Sequence, residues 1–194
     1  MQFEKMNNYQ KAVDFILETF SAKKVKEFRG HDGYGYNADI YLVGKKIAEV
    51  DNDGWGGGLR IHYISEDYEK RAKSLINDLP KCLFSEAIGG SSDHEMIWDD
   101  ELVFDHVATD VLRKKDFKKQ MKKITFIQDN QLSHYTSLKA SDLETVYQYK
   151  EGVMSLREWL EKTEKEENMK VLNFLPEDEA FDLYRKHSER RFYL

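Results

Sequence analysis

The chain has 194 residues, of which 40% are hydrophobic and 13% aromatic, enough to bury a real core in one domain or in two joined lobes. Charged residues make up 34% of the chain, which predicts a highly soluble globular protein. The formal net charge of −6 argues against general nucleic-acid binding but leaves room for a local basic surface.

The cysteine content and the hydropathy pattern indicate a compartment. Cys82 has no second cysteine with which to form an internal disulfide, which fits a reducing environment, and we expect its side chain to be buried. No apolar run approaches the ~18 residues of a membrane span, and residues 1–10 are too polar for a signal peptide. We therefore expect a cytoplasmic protein with no membrane partner.

A helix and a glycine-rich antiparallel meander are predicted for the first third of the chain. Asn8 caps a helix whose apolar residues recur at helical spacing: Tyr9, Ala12, Val13, Ile16, Leu17 and Phe20. Strands are predicted at 24–29, 37–42, 45–50 and 59–64, and Gly44 supplies the positive φ of a two-residue turn. Period-two alternation in 37–42 separates an outer set (Asn37, Asp39, Tyr41) from a buried set (Ala38, Ile40, Leu42).

A second helix and a connector follow the meander. Ser65 caps this helix and Pro80 ends it. Residues 85–95 begin with a flexible Gly- and Ser-containing stretch, which is typical of a boundary between lobes. We predict a helix–meander–helix lobe at 1–84, a connector at 85–95 and a second lobe at 96–194.

The second lobe is predicted to be mainly helical, with one or two short strands. A long helix runs from about Leu102 to Met121, and short strands are expected at 123–128 and 171–175. Two capping boxes, Ser141-Asp-Leu-Glu144 and Ser155-Leu-Arg-Glu158, each predict a short helix, and Pro176 opens a terminal one. The predicted fold class is therefore α+β: an antiparallel meander of three to four strands covered by amphipathic helices, followed by a mainly helical lobe.

Four acids near the meander are candidate ligands of a catalytic metal: Asp39, Glu49, Asp51 and Asp53. Carboxylates on adjacent strands are what a metal-dependent nuclease needs to hold a hard cation. However, Glu49 is followed by Val50 and Asp51, so the lysine that usually stands two residues beyond the glutamate is missing. Acids at turns and strand edges are the simpler interpretation.

Two other groups resemble chemical sites more weakly. Metal-type ligands crowd one short span, namely Asp93, His94, Glu95, Asp99, Asp100, Asp105 and His106. They lack the helical His-x-x-x-His spacing, and acids before a helix favour its N-terminal dipole. His31 and Asp32 could form an acid–base pair, but no serine or cysteine elbow accompanies them, so a plain turn is favoured. No cofactor is predicted.

Two surfaces are candidates for contacts with a macromolecule. The first is one face of the basic 113–123 helix end, formed by Lys115, Lys118, Lys119 and Lys122, which could hold an RNA or DNA backbone or simply be solvated. The second is a set of aromatics near the glycine turns, Tyr34, Tyr36, Tyr41 and Trp55, which could anchor a protein partner or pack over the sheet edge.

The glycine-rich stretch also resembles a known group of proteins. Gly35-Tyr-Asn-Ala-Asp-Ile-Tyr41, Gly44-Lys-Lys-Ile-Ala-Glu-Val50 and Asp53-Gly-Trp-Gly-Gly57 together resemble a segment that recurs in small uncharacterised proteins of phages and mobile elements. The resemblance covers about residues 28–64. It implies a bacterial host cell as the setting and assigns no activity and no catalytic residue.

The resemblance, the small acidic fold and the lack of a catalytic set together lead us to expect a non-catalytic binding protein. Its expected role is inhibition of a bacterial defence system, as an anti-CRISPR protein does, with a bacterial effector protein or ribonucleoprotein as partner and RNA as a further candidate. The first alternative is a metal-dependent nuclease or hydrolase that uses the four acids. The second is a single-strand nucleic-acid-binding protein that uses the basic helix end.

Overall fold

The computed structural model describes residues 8–29, 33–55, 57–83, 85, 94–149 and 152–188. Helices and antiparallel sheets are both present, which confirms the α+β class. The described helices are α1 (Asn8–Thr19), α2 (Glu66–Asn77), α3 (Asp100–Gln120), α4 (Leu156–Glu166) and α5 (Glu177–His187). The chain divides into two units, residues 1–112 and 113–194.

The first unit contains the predicted meander. Its strands are β1 (Phe20–Arg29), β2 (Tyr34–Leu42), β3 (Lys45–Asn52) and β4 (Arg60–Tyr63), antiparallel in the order β1-β2-β3-β4. The inner face of this sheet shares one hydrophobic core with apolar residues of α1, α2 and the first turns of α3. The predicted first helix is confirmed as α1, and Ser65 caps α2 by accepting the backbone N–H of Tyr68 at 3.4 Å.

Two β-bulges interrupt the alternation of this sheet. In β1 the register skips a residue between Lys23 and Lys26, where Lys24 has a φ of 53°. In β3 the extra residue is Ile47, because Ile40 pairs with Ala48 while Tyr41 pairs with Lys46. Each bulge lets the next apolar side chain return to the core and places a lysine on the outer face.

The division between the units differs from the predicted boundary at 85–95. Two short strands flank that segment, β5 (Cys82–Leu83) and β6 (Glu95–Met96), and they pair antiparallel with each other. This pairing keeps both flanks in the first unit, so the division falls within α3. Cys82 is buried, as expected, while residues 86–93 of the predicted connector lie outside the described residues.

The second unit has more strands than the one or two predicted. They are β7 (Lys123–Gln128), β8 (Gln131–Lys139), β9 (Val146–Tyr149), β10 (Gly152–Ser155) and β11 (Met169–Val171). β7 is the central strand of a sheet in the order β11-β7-β8, and β9 pairs with β10 as a hairpin. The β7–β8 turn consists of Asp129 and Asn130, both with positive φ, which is the conformation that a two-residue hairpin turn requires.

One of the two predicted capping boxes is confirmed. Ser155 accepts the backbone N–H of Glu158 at 3.2 Å, and the Glu158 carboxylate accepts the backbone N–H of Ser155 at 2.7 Å, at the start of α4. The other prediction is wrong, since Ala140–Asp142 forms only a 3-10 turn. There the Ser141 hydroxyl donates to the adjacent Asp142 carboxylate and caps no helix. Pro176 directly precedes α5, as predicted.

The β2–β3 turn generates a first prediction. Val43 and Gly44 are its central residues, with φ of 46° and 78°, and Val43 is 73% exposed. A left-handed φ costs a non-glycine residue roughly 1–2 kcal/mol, and asparagine tolerates it better than a β-branched residue. Val43→Asn should therefore stabilise the fold by about 1 kcal/mol, and Gly44→Val should destabilise it by about 1 kcal/mol or more.

Thermal melts of the two variants test this assignment. The control is Val153→Asn, at a valine that is 67% exposed in β10 and has no positive φ, and it should give no increase in Tm. A Tm of Val43→Asn at or below that of the wild type would contradict the strain at this turn.

Candidate functional site

The outer face of the first-unit sheet brings three of the predicted acids together. The strand register places Asp39 opposite Glu49 and Glu49 opposite His62, with Asp51 opposite Arg60 in the neighbouring row. These side chains line a shallow cleft of about 370 Å³. Alternation along β2 and β3 therefore creates the polar cluster that the sequence predicts.

Asp39 is the centre of this cluster and is held by two lysines. Its carboxylate lies 3.0 Å from the Lys24 ammonium and 2.8 Å from that of Lys46, and Lys46 also lies 2.6 Å from Glu49. The hydrogen bond from Lys46, supported by Lys24, lowers the pKa of Asp39, although partial burial opposes this shift. In turn, the bonds to Asp39 and Glu49 raise the pKa of Lys46.

The two other acids of the set bind the guanidinium of Arg60. Asp53 lies 2.6 Å from it and Asp51 lies 3.7 Å from it. Asp53 also accepts the backbone N–H of Trp55 at 3.0 Å, and this bond, together with Arg60, lowers the pKa of the Asp53 carboxyl. Asp53 thus fixes the loop that carries Trp55.

The four acids are therefore members of ion pairs. The sequence lacks a lysine two residues after Glu49, but the bulges supply Lys24 and Lys46 from other positions. Among the described residues, no group of three or more His, Cys, Asp and Glu side chains is arranged to hold a metal ion. The arrangement is one of mutual neutralisation, which stabilises the outer face of the sheet.

The acidic stretch before and within α3 has structural roles in the first unit. Asp99 accepts the backbone N–H of Leu102 at 2.8 Å, as a helix N-cap residue does. Asp100 accepts the hydroxyl of Tyr63 at 2.9 Å, and Asp105 accepts the hydroxyl of Tyr36 at 2.6 Å. His31, Asp32 and Asp93, which also belong to the weaker candidate groups, lie outside the described residues.

The four predicted aromatic contact residues occupy different environments. Tyr36 is only 3% exposed and belongs to the core, so its prediction as a surface anchor is wrong. The reason is alternation, which puts Tyr36 on the same face of β2 as Ala38 and Ile40. Burial, with Asp105 nearby, raises the pKa of the Tyr36 phenol. Tyr41 is half-buried, with the Lys23 ammonium 4.4 Å from its ring centroid.

The remaining two aromatics lie at one end of the sheet, together with a residue that the sequence analysis missed. Tyr34 is 69% exposed and Trp55 61% exposed. Arg29 pairs with Tyr34 and Phe28 with Gly35, so Phe28, which is 40% exposed, joins them at this end. We call Phe28, Tyr34 and Trp55 the aromatic end. The predicted strand 24–29 already contains Phe28, but the pairing of Phe28 with Gly35, which brings it to this end of the sheet, was not predicted.

The scaffold of the aromatic end is well defined by local contacts. A Cβ atom at Gly35 would lie 2.5 Å from the ring of Phe28, so only glycine leaves room for this ring. The side chains of Asn52 and Asp53 accept the backbone N–H groups of Gly54 and Trp55, each at 3.0 Å. These bonds hold the Trp55 backbone in place.

The predicted basic residues lie in the second unit. Lys115, Lys118, Lys119 and Lys122 are all exposed, on the last turns of α3 and the turn that follows it. The structure thus places them on the surface as the helical spacing predicts. The Lys123 and Lys139 positions pair across β7 and β8 directly after this turn, and the sequence analysis missed Lys139 because it did not predict β8.

Comparison with known proteins found no matching family model and no significant similarity to a curated protein or a solved structure. The resemblance of residues 28–64 to phage and mobile-element proteins therefore stays a prediction. No described helix combines the length and the apolar character that crossing a membrane requires.

The Asp39 cluster generates a second prediction. Because the pKa of Asp39 is lowered by folding, its carboxylate stabilises the fold above the ordinary value of about 4, and this stabilisation disappears as the pH falls through the lowered pKa. Asp39→Asn should reduce stability at pH 7 by roughly 1 kcal/mol or more. The difference from the wild type should shrink between about pH 4 and pH 2.

The measurement is the Tm of both proteins across this pH range. Glu18→Gln is the control, because Glu18 is an exposed carboxylate of the same unit that makes no ion pair among the described residues. A Tm difference for Asp39→Asn that is the same at pH 7 and at pH 2 would show that the ion pairs do not contribute.

Proposed function

We propose that this chain is a non-catalytic binding protein that docks a partner protein on the aromatic end of its first unit. The observation that supports this function is the exposure of three aromatic side chains, Phe28, Tyr34 and Trp55, at one end of a hydrogen-bonded sheet. Large aromatics bury much apolar area at little cost in side-chain entropy, and they dominate binding energy at protein interfaces.

The rigidity of the scaffold strengthens this proposal. The Trp55 loop is tied by its Asn52 and Asp53 hydrogen bonds and by the contact of Asp53 with Arg60 at 2.6 Å. A preformed loop loses less conformational entropy when it binds than a flexible one does. Arg60 and Asp53 also provide a polar rim beside the aromatics, the usual arrangement of a specific interface.

The resemblance of residues 28–64 to phage and mobile-element proteins suggests the kind of partner. We propose inhibition of a bacterial defence system in the host cytoplasm, in the manner of an anti-CRISPR protein that occupies an effector or its guide RNA. The ion pairs of the Asp39 cluster favour binding over the nuclease alternative, because each carboxylate of the set already has a cationic partner.

The test is a phage-plating assay in strains that each carry one defined defence system, followed by a binding isotherm with the purified effector. The wild-type protein should restore plating against at least one system. Trp55→Ala should keep the wild-type Tm and weaken effector binding by roughly 30-fold, the equivalent of ~2 kcal/mol at a hot spot. Tyr34→Ala should weaken binding in the same direction.

Phe15→Ala is the matched control, since Phe15 is an exposed aromatic of the first unit that lies on α1. It should bind as the wild type does. If Trp55→Ala melts and binds normally, the aromatic end is not the interface. Mg²⁺- or Mn²⁺-dependent cleavage of DNA or RNA by the purified protein, abolished by Glu49→Ala or Asp51→Ala, would instead establish the nuclease alternative.

A further inference from the structure

The last turns of α3 present one face to the core of the second unit and the opposite face to solvent. Phe117 is buried, and its ring packs edge-on against those of Phe181 and Tyr184 at centroid distances of 5.3 and 5.4 Å. At about 100° per residue, Lys115, Lys118 and Lys119 lie roughly 100° to 160° around the helix from Phe117. The packing of Phe117 therefore turns these lysines outward.

The adjoining sheet extends the same positive surface. Lys122 accepts the backbone N–H of Ala140 at 3.0 Å through its carbonyl oxygen, and Lys123 pairs with Lys139 across β7 and β8. The Lys123 ammonium lies 3.0 Å from a ring nitrogen of His134 on β8. The end of α3 and the β7–β8 pair thus bring together basic side chains from two separate stretches of the sequence.

Asn173 fixes the turn that joins the two parts of this surface. Its amide nitrogen donates to the carbonyl oxygens of Met121 and Lys123 at 3.1 and 3.0 Å, and its amide oxygen accepts the backbone N–H of Thr125 at 2.8 Å. One side chain thereby satisfies three backbone groups around Lys122. The lysine backbones are held in a defined arrangement before any ligand binds.

Four lysines of this surface have no counter-ion, a property that they share with Lys165 and Lys186 within the described part of the second unit. Within the described part of that unit, the side chains of Lys118, Lys119, Lys122 and Lys139 make no ion pair or hydrogen bond. Lys162 and Lys170, by contrast, lie 3.8 Å from Glu166 and 3.2 Å from Glu179. Positive charge on the first set is therefore not neutralised by neighbouring carboxylates.

We propose that the second unit binds the phosphodiester backbone of a nucleic acid through Lys115, Lys118, Lys119, Lys122, Lys123 and Lys139, which we call the basic surface. The step from Lys115 to Lys122 covers about 10 Å of helix axis, and duplex DNA carries roughly six phosphate charges over this distance. The four members of this set that make no ion pair within the described part of the unit would release counter-ions from such a polyanion without first breaking ion pairs of their own.

The chemistry of the basic surface favours nucleic acid over an acidic protein. No large hydrophobic side chain is exposed among residues 115–139, which are all described, and the exposed Val146, Tyr147 and Val153 of the same unit lie on the β9–β10 hairpin. Protein interfaces have aromatic and aliphatic anchors at their centre and are depleted in lysine. A surface of lysines with no apolar anchor fits a charged backbone that is contacted through its phosphates.

The experiment measures fluorescence anisotropy of labelled 20-nucleotide RNA, single-stranded DNA and duplex DNA with the full chain, from 50 to 200 mM salt. We expect the logarithm of the association constant to fall linearly with the logarithm of the salt concentration. Lys118→Gln/Lys122→Gln should weaken binding about fivefold or more, and it should reduce the slope by about 1.4 for single strands or 1.8 for duplex. The three oligonucleotides distinguish RNA from DNA and single strands from duplex.

The matched control is Lys162→Gln/Lys170→Gln, which removes the same charge from two ion-paired lysines of the same unit. It should retain wild-type affinity and slope, and melts should show that both variants are folded. No binding of any oligonucleotide at 50 mM salt would overturn the proposal, as would equal losses in the two variants. Competition by poly-glutamate as strong as that by an unlabelled oligonucleotide would instead indicate an acidic protein partner.

Discussion

Period-two alternation of side chains is the constraint on which the first-unit sheet depends, and β1 and β3 satisfy it only with one extra residue each. Without the bulge in β1, Lys24 would face the core and Val25 would face solvent. If β3 alternated regularly through Ile47, Ile47 would face solvent and Lys46 would point inward. The same two bulges bring Lys24 and Lys46 to the Asp39 carboxylate. The packing of the inner face and the ion pairs of the outer face therefore have the same cause.

Local signals in the sequence were sufficient for the elements that they specify directly. Alternation predicted β2, the Val43-Gly44 turn predicted the β2–β3 hairpin, and the Ser155 capping box predicted the start of α4. β8 could not be predicted in this way, because most of its residues are polar and partly exposed. Its pairing with β7 defines it. The Ser141 prediction failed because the chain leaves the 3-10 turn for β9, whose pairing with β10 is not visible in a local sequence pattern.

The candidate sites show the same limit. Alternation correctly placed Asp39, Glu49 and Asp51 on one face, yet the lysine partners of Asp39 and Glu49 depend on bulges that no short pattern reveals. Alternation also implies the buried position of Tyr36, because Tyr36 and Ala38 are two residues apart in β2 and therefore face the same side of the sheet. Helical spacing predicted the outward lysines of α3, whereas Lys139 reaches the same surface only through the β7–β8 register.

Net charge is a poor guide to the charge of any one surface, because an exposed charge acts mainly on its near neighbours. At physiological salt the field of an exposed charge is screened beyond about 8 Å, so the potential at a surface is set by its nearest counter-ions. In the first unit, the cations around Asp39 and Asp53 are neutralised within ion pairs, and large aromatic side chains are exposed at the end of the same sheet. In the described part of the second unit, Lys118, Lys119, Lys122 and Lys139 lack such partners, although the whole chain has a net charge of −6. The placement of carboxylates, more than their number, therefore determines which surface of this acidic protein can meet a polyanion.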